Sequence, residues 1–193
     1  MKKLFMLCGI MGFMAVAKFV SAQEKAGPKP TIASELDSQL SMVERDFVSL
    51  AETMPEEKYA FAPSTGEFKG VRTFAEQVKH VAFANHLFFG AIVGEKAETG
   101  PSREGPESIR TKAEILRYLR ESFALGHRAV GTITSDNAVT VVVNAPIPRF
   151  KTRLAMATHA CTHAYDHYGQ MIEYLRMNGI LPPNSSPPAS ARP

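Results

Sequence analysis

Two stretches of the chain start with the same capping sequence, a Thr followed three residues later by a Glu. Thr73 and Glu76 form one pair, and Thr111 and Glu114 form the other. In such a capping box each side chain accepts a hydrogen bond from the backbone N–H of the other residue, so the pair marks the first turn of an α-helix. Apolar residues at three- and four-residue steps follow both pairs, which predicts two amphipathic helices.

Two further segments show helical periodicity, and together the four predict an all-α four-helix bundle. Pro55 ends the first helix, and Gly179 with the prolines after it ends the last. The predicted helices cover about Ile32–Thr53, Thr73–Val93, Thr111 to a residue between Gly126 and Ile133, and Arg153–Met177. Long connecting loops are expected at about residues 54–72, 94–110 and 134–152. Within the last loop, residues 138–143 are mostly β-branched and are predicted to form at most a short extended piece with no obvious partner.

The N-terminal sequence is typical of an export signal. Lys2 and Lys3 precede an apolar run, Leu4 to Val16, which is shorter than a typical transmembrane helix. The residues Val20-Ser21-Ala22 then fit a small-x-small cleavage site. We therefore expect a periplasmic or extracellular protein, with an uncleaved membrane anchor as the alternative. The predicted organisation is a cleaved signal peptide at 1–22, a flexible segment at 23–31, the bundle at 32–181 and a disordered Pro/Ser-rich tail at 182–193.

Cleavage removes the excess of positive charge. The whole chain has 22 basic and 19 acidic residues, and three of the lysines lie in the signal. A mature protein without net charge has no global attraction to nucleic acid, and no membrane association is expected after cleavage. Cys8 also leaves with the signal, so Cys161 remains alone and no internal disulfide can form.

The last predicted helix carries His163 and His167, four residues apart. This spacing places two imidazoles on one face of a helix, where they could bind one metal ion. The alternative is a pair of core histidines that hydrogen-bond other side chains or face a water-filled cleft. A zincin-type protease is excluded, because the Glu that must follow the first His is Ala164 here.

A third ligand has to come from elsewhere, and geometry leaves two candidates. His80 lies midway along the second helix, and His159 lies one turn before His163. His86 is about 120° around the helix from His80, so these two cannot easily share a site. His127 lies near a helix end, where a capping or surface role is the default.

Two stretches resemble the DinB family of damage-inducible-protein-like four-helix bundles. One runs from Pro55 to Phe61 and on through Thr73-Phe-Ala-Glu-Gln-Val-Lys-His80 to Asn85. The other is Thr162-His163-Ala-Tyr-Asp-His167-Tyr-Gly-Gln170. The resemblance covers about residues 32–182. It implies an up-down-down-up bundle, in which a His on the second helix and the His pair on the last helix bind a divalent metal.

By position, the ligands that the resemblance implies are His80, His163 and His167. Nitrogen ligands suit several divalent metals, of which zinc or nickel is expected here. One departure is Tyr168, where the family usually has Arg. Relatives of this fold include transferases and isomerases that use small thiols, and dimers are common among them.

The expected function is that of an exported metal-binding protein, with the metal activating a thiol or water for transfer to, or hydrolysis of, a small substrate. The alternative is a stress-related bundle that binds metal or ligand without catalysis. Asp166 is a candidate acceptor for an imidazole N–H. Asn85 and Tyr165 are weaker candidates beside the site. Cys161 lies about 200° around the helix from His163 and is expected to pack away from it.

Overall fold

The computed structural model describes residues 29–95 and 103–185. These residues form four α-helices and two short 3-10 turns, without a named strand, so the predicted all-α fold is confirmed. The helices are α1 (Ile32–Thr53), α2 (Phe74–Val93), α3 (Lys112–Gly131) and α4 (Arg153–Met177). The predicted signal peptide at 1–22 and the end of the tail at 186–193 lie outside the described residues.

The helix ends follow the capping sequences. Thr73 Oγ1 accepts from the Glu76 N–H at 3.2 Å, and Glu76 Oε2 accepts from the Thr73 N–H at 2.8 Å. The second box closes in the same way, and the N–H groups of Thr111 and Arg110 hold the pKa of Glu114 at about 2. These hydrogen bonds satisfy backbone donors that have no partner within the helix.

Two helix pairs run antiparallel. The Lys112 ammonium, at the start of α3, donates to the backbone carbonyl of Met54 just beyond the end of α1, at 2.8 Å. Arg153, at the start of α4, donates to the carbonyl of Ile92 near the end of α2, at 2.7 Å. Each contact joins the beginning of one helix to the end of another, so α3 runs against α1 and α4 runs against α2.

The remaining neighbours are parallel. Lys58, which follows α1, donates to the carbonyl of Asn178, which follows α4, at 3.2 Å. Glu95 and Arg128 form an ion pair at 3.7 Å where α2 and α3 both end. Helices α1 and α4 therefore point one way and α2 and α3 the other, which confirms the up-down-down-up order. Helices α1 and α2 each pack on α3 and α4, so α1 lies diagonally across the bundle from α2, and α3 lies diagonally across from α4. The α1–α2 and α3–α4 connections therefore cross the bundle, whereas α2 and α3 are direct neighbours.

The helices meet in an apolar core, where α3 approaches its neighbours closely at Gly126. A Cβ at this position would lie 2.8 Å from the Phe89 ring of α2 and 2.9 Å from Leu40 of α1. Glycine is therefore needed here for close packing. The largest fully buried side chains of the core are Phe47, Phe74, Phe89, Phe123, Leu40, Leu50, Met54, Ile92, Ile115, Leu119, Ile133 and Met156.

A histidine of α3 links this helix to α1. His127 places Nδ1 2.6 Å from Asp37 and Nε2 3.0 Å from Glu44. Both ring nitrogens can donate only when the imidazole is protonated. Burial opposes that charge, but the hydrogen bonds to the two carboxylates outweigh it and raise the pKa of His127. This residue thus has a surface structural role, as predicted.

Two connections have more structure than the sequence suggested. The extended piece expected at 138–143 does have a partner, because Val141 forms an antiparallel bridge with Thr152 at the start of α4. The beginning of the predicted tail forms a 3-10 turn at Pro183–Ser185 that contacts α1. Among the described helices, none has the length and apolar character that a membrane span requires.

Replacing Gly126 by Ala tests the close packing of α3. We expect Gly126→Ala to lower the free energy of unfolding by about 1–3 kcal/mol, because the new methyl group overlaps Phe89 and Leu40. In Gly169→Ala nothing lies within 4 Å of the added Cβ, so this helical control should gain about 0.5–1 kcal/mol. Urea unfolding followed by circular dichroism measures both. Equal changes in the two variants would contradict the packing argument.

The His127 contacts make part of the stability depend on pH. Since the folded-state pKa of His127 is raised above its ordinary 6.5, its contribution is complete below pH 6.5 and is lost as the pH rises through the folded value. Urea unfolding between pH 5.5 and 8.5 should therefore show a larger advantage of wild type over His127→Gln at the acidic end. A difference that does not change with pH would refute this assignment.

Candidate metal centre

Three imidazoles from two antiparallel helices meet inside the bundle. His80 lies midway along α2, and His163 and His167 lie one turn apart on α4. His163 Nε2 is 3.1 Å from His80 Nε2 and 3.2 Å from His167 Nε2. One ligand atom from each residue lies within 4.8 Å of the other two. The structure thus brings together the three residues that were predicted as ligands.

The hydrogen bond at Nδ1 of His80 determines the protonation state of Nε2, the nitrogen that faces the other histidines. His80 Nδ1 lies 2.8 Å from the backbone carbonyl of Arg103. A carbonyl oxygen can only accept, so Nδ1 carries the proton and Nε2 turns a bare lone pair towards the cluster. Burial lowers the pKa of His80, which keeps the ring neutral.

A carboxylate fixes the tautomer of His167 through two amides. Asp166 accepts from Gln170 Nε2 at 3.2 Å, and this turns Gln170 Oε1 towards Gln77 Nε2 at 3.1 Å. Gln77 Oε1 is then left to accept from His167 Nδ1 at 2.6 Å. A carboxylate can only accept, so Asp166 sets the direction of each hydrogen bond in this series. His167 therefore donates through Nδ1, and its Nε2 keeps a lone pair.

His163 faces both of these lone pairs and has an unpartnered outer nitrogen. Its Nδ1 is buried without a hydrogen-bond partner. Burial, followed by the neighbouring His167 and His80, lowers its pKa to about 3. The pKa of His167 is lowered to about 4, by burial first and then by His80 and Arg72. All three rings are therefore neutral at pH 7.

This arrangement fits a divalent metal ion better than it fits a hydrogen-bonded core. A neutral His163 has one proton, which can satisfy only one of the two lone pairs that face it. Two nitrogens that bind one tetrahedral zinc ion at about 2.0–2.1 Å are about 3.3 Å apart. The observed separations of 3.1 and 3.2 Å are close to this value. A cation between the nitrogens would satisfy all three at once.

His159, the alternative third ligand, has a different place. It does not belong to the three-nitrogen group. Its ring stacks on Phe150 at 4.0 Å between centroids and meets Phe88 edge-on at 5.0 Å. Burial, with the charge of Arg149 as the second cause, lowers its pKa. His159 is thus an aromatic wall beside the cluster.

The other side chains considered in the sequence analysis have their contacts outside the histidine cluster. Asn85 donates to Ser122 of α3 at 3.2 Å, and Tyr165 donates to Asp46 of α1 at 3.2 Å. Burial raises the pKa of Cys161 to about 11, so its thiol stays neutral and packs in the core, as expected. His86 stacks on Tyr118 at 4.9 Å and is not part of the cluster, in line with its predicted angle from His80.

Two details of the site differ from the sequence analysis or extend it. Asp166 does not accept from an imidazole directly but acts through Gln170 and Gln77. Gln77, which is 2 % exposed, was missed as a site residue. Its place three residues before His80, on the same helix face, was the available signal. Tyr168, where the resemblance led us to expect Arg, bonds Asn184 of the tail at 3.0 Å.

The fold and the cluster define a class of protein, an up-down-down-up four-helix bundle with three convergent histidines in its interior. The chain belongs to the DinB superfamily, whose family model matches residues 39–171. These residues include all three histidines of the cluster. A search of curated proteins found no match.

Solved structures with the same fold are distant in sequence. A conserved protein from Enterococcus faecalis matches with a TM-score of 0.62 and 16% identity, over 77% of this chain and 98% of the other. An uncharacterised protein from Escherichia coli UTI89 matches with a TM-score of 0.57 and 15% identity, over 78% of this chain and 96% of the other. At these identities the similarity establishes the fold alone.

The hydrogen bond from His167 to Gln77 should support metal affinity. We expect Gln77→Leu to weaken Zn²⁺ binding about 10- to 100-fold, because His167 loses the acceptor that holds its tautomer and ring orientation. Competition with a chromophoric chelator measures the affinity. The same change at the exposed Gln39 of α1 is the control and should leave affinity unchanged. Wild-type affinity in Gln77→Leu would show that the amide does not orient the ligand.

Proposed function

We propose that this protein is an exported metal-binding member of its superfamily, in which His80, His163 and His167 hold one divalent ion, zinc or nickel. The observation that carries the proposal is the convergence of three neutral imidazole nitrogens, two of them with lone pairs fixed towards the same point. Export is proposed from the apolar run behind Lys2 and Lys3 and from the small residues that follow it.

The proposed activity is transfer or hydrolysis on a small substrate, with a thiol or water as nucleophile. A divalent ion with an open coordination position lowers the pKa of such a nucleophile. The residues of the chain have supporting roles in this proposal. Gln77 and the Arg103 carbonyl orient two of the rings, while Phe88 and His159 line the approach to His163. These apolar surfaces limit the access of bulk water to the cluster.

A non-catalytic binding bundle is the second candidate, and one observation favours it. Among the described residues, those that line the cleft beside the cluster include no carboxylate that could serve as general base. His159 is the titratable side chain there, apart from the proposed ligands and Arg103. A turnover assay of the metal-loaded protein with small thiols and electrophiles separates the two candidates.

Elemental analysis of four variants tests the metal site. We expect about one divalent ion per chain in the wild type and in His159→Ala. His80→Ala, His163→Ala and His167→Ala should each lose it, because two imidazoles bind far more weakly than three. Circular dichroism confirms that each variant keeps its helices. Equal metal in wild type and His163→Ala would refute the site, and loss in His159→Ala would show that the fourth histidine belongs to it.

A further inference from the structure

A cleft of about 220 Å³ opens directly beside the histidine cluster. His80 and His163 of the cluster line it, together with His159. The other walls are mainly apolar and come from α2 and from the connection between α3 and α4. They include Phe83, Leu87, Phe88, Pro146 and Ile147. Its volume is below the roughly 300–1,000 Å³ that is usual for drug-sized ligands, so its ligand is small.

The charges around the cleft favour an anion. Arg103 lines it, and Arg149 lies close enough to His159 to lower the pKa of that ring. The acids whose charges act on His80 and His163 already have partners, since Glu104 pairs with Arg72 at 2.6 Å and Asp166 accepts from Gln170. Among the lining residues that the structure describes, none is acidic.

The histidine cluster adds to this preference. Three neutral imidazoles leave both charges of a divalent ion without a counter-charge from the protein. In an apolar surrounding such a charge is unfavourable unless an anion is close to it. The inference therefore deepens the proposed function and rests on it for this step, while the charge of Arg103 does not depend on a metal.

The apolar walls restrict the body of the ligand. Phe88 meets both His159 and His163 edge-on, at 5.0 and 6.2 Å between centroids. The stack of Phe150 on His159 holds that imidazole in place as a flat wall. A single ring has the size for this volume, and it can pack against flat aromatic faces with favourable offset or edge-on contacts.

We propose that this cleft binds a small organic anion with one apolar ring, with its acidic group towards Arg103 and the histidine cluster and its ring against Phe88 and Ile147. Benzoate is the simplest probe with this chemistry. Benzamide has the same shape without the charge, and acetate has the charge without the ring. The proposal requires both parts, so benzoate should bind at least about tenfold more tightly than either.

Isothermal titration calorimetry with Zn²⁺-loaded and metal-free protein tests this directly, with zinc content measured in the same samples. Ile147→Asp places a negative charge in the wall and removes apolar surface, so benzoate affinity should fall about tenfold or more. Val143→Asp makes the same change in the same connection at a residue that is 83% exposed and does not line this cleft. It should change the affinity less than twofold.

The outcomes distinguish the cleft from the metal site. Equal binding of benzoate and acetate, or equal losses in Ile147→Asp and Val143→Asp, would overturn the cleft proposal while the zinc content still supports the metal site. A protein that takes up neither zinc nor nickel would refute the proposed function. If that metal-free protein still binds benzoate, more weakly and in a way that depends on Ile147, the cleft proposal is supported. If neither the Zn²⁺-loaded nor the metal-free protein binds benzoate, the cleft proposal is overturned.

Discussion

The site depends on one constraint, which is that a buried imidazole nitrogen with a bare lone pair needs a proton or a cation in front of it. Here two such lone pairs are fixed from outside the cluster. The backbone carbonyl of Arg103 fixes His80, and Asp166 fixes His167 through Gln170 and Gln77. His163 can supply at most one proton between them, so the neutral cluster is incomplete by itself. The lone pair that is left without a proton favours a cation between the three histidines more strongly than the H-x-x-x-H spacing does.

The order of the helices makes this convergence possible. Gln77 and His80 are one turn apart on α2, and their contacts on α4 run in the opposite sense, from Gln170 back to His163. This register exists only because α2 and α4 are antiparallel neighbours. In the up-down-down-up order these helices are not consecutive in the chain, so the site joins residues more than 80 positions apart. The long connections are thus a requirement of the topology that builds the site.

Much of the fold could be predicted from local signals. The boxes at Thr73 and Thr111 gave the starts of α2 and α3, because capping is a contact between residues three apart. The three ligand histidines were predicted from helical spacing together with a family resemblance. Spacing alone did not decide between His80 and His159 as the third ligand. Gln77 and the two carboxylates on His127 were not predicted, because a polar side chain acquires such a partner only when distant helices pack. The pairing of Val141 with Thr152 was missed for the same reason.

That missed pairing also explains how an irregular connection can form a binding wall. Val142 donates to the carbonyl of Lys151 at 2.8 Å next to the Val141–Thr152 bridge, so the ends of the segment between them are held together. The segment between these contacts, residues 143–150, is short. Ordering the tip of such a short closed loop therefore costs little additional conformational entropy. Pro146 and Ile147 lie in this closed loop and face the cleft. The α3–α4 connection is thereby fixed at its base against the start of α4, the helix that carries His163, which places an apolar wall beside the cluster without another helix.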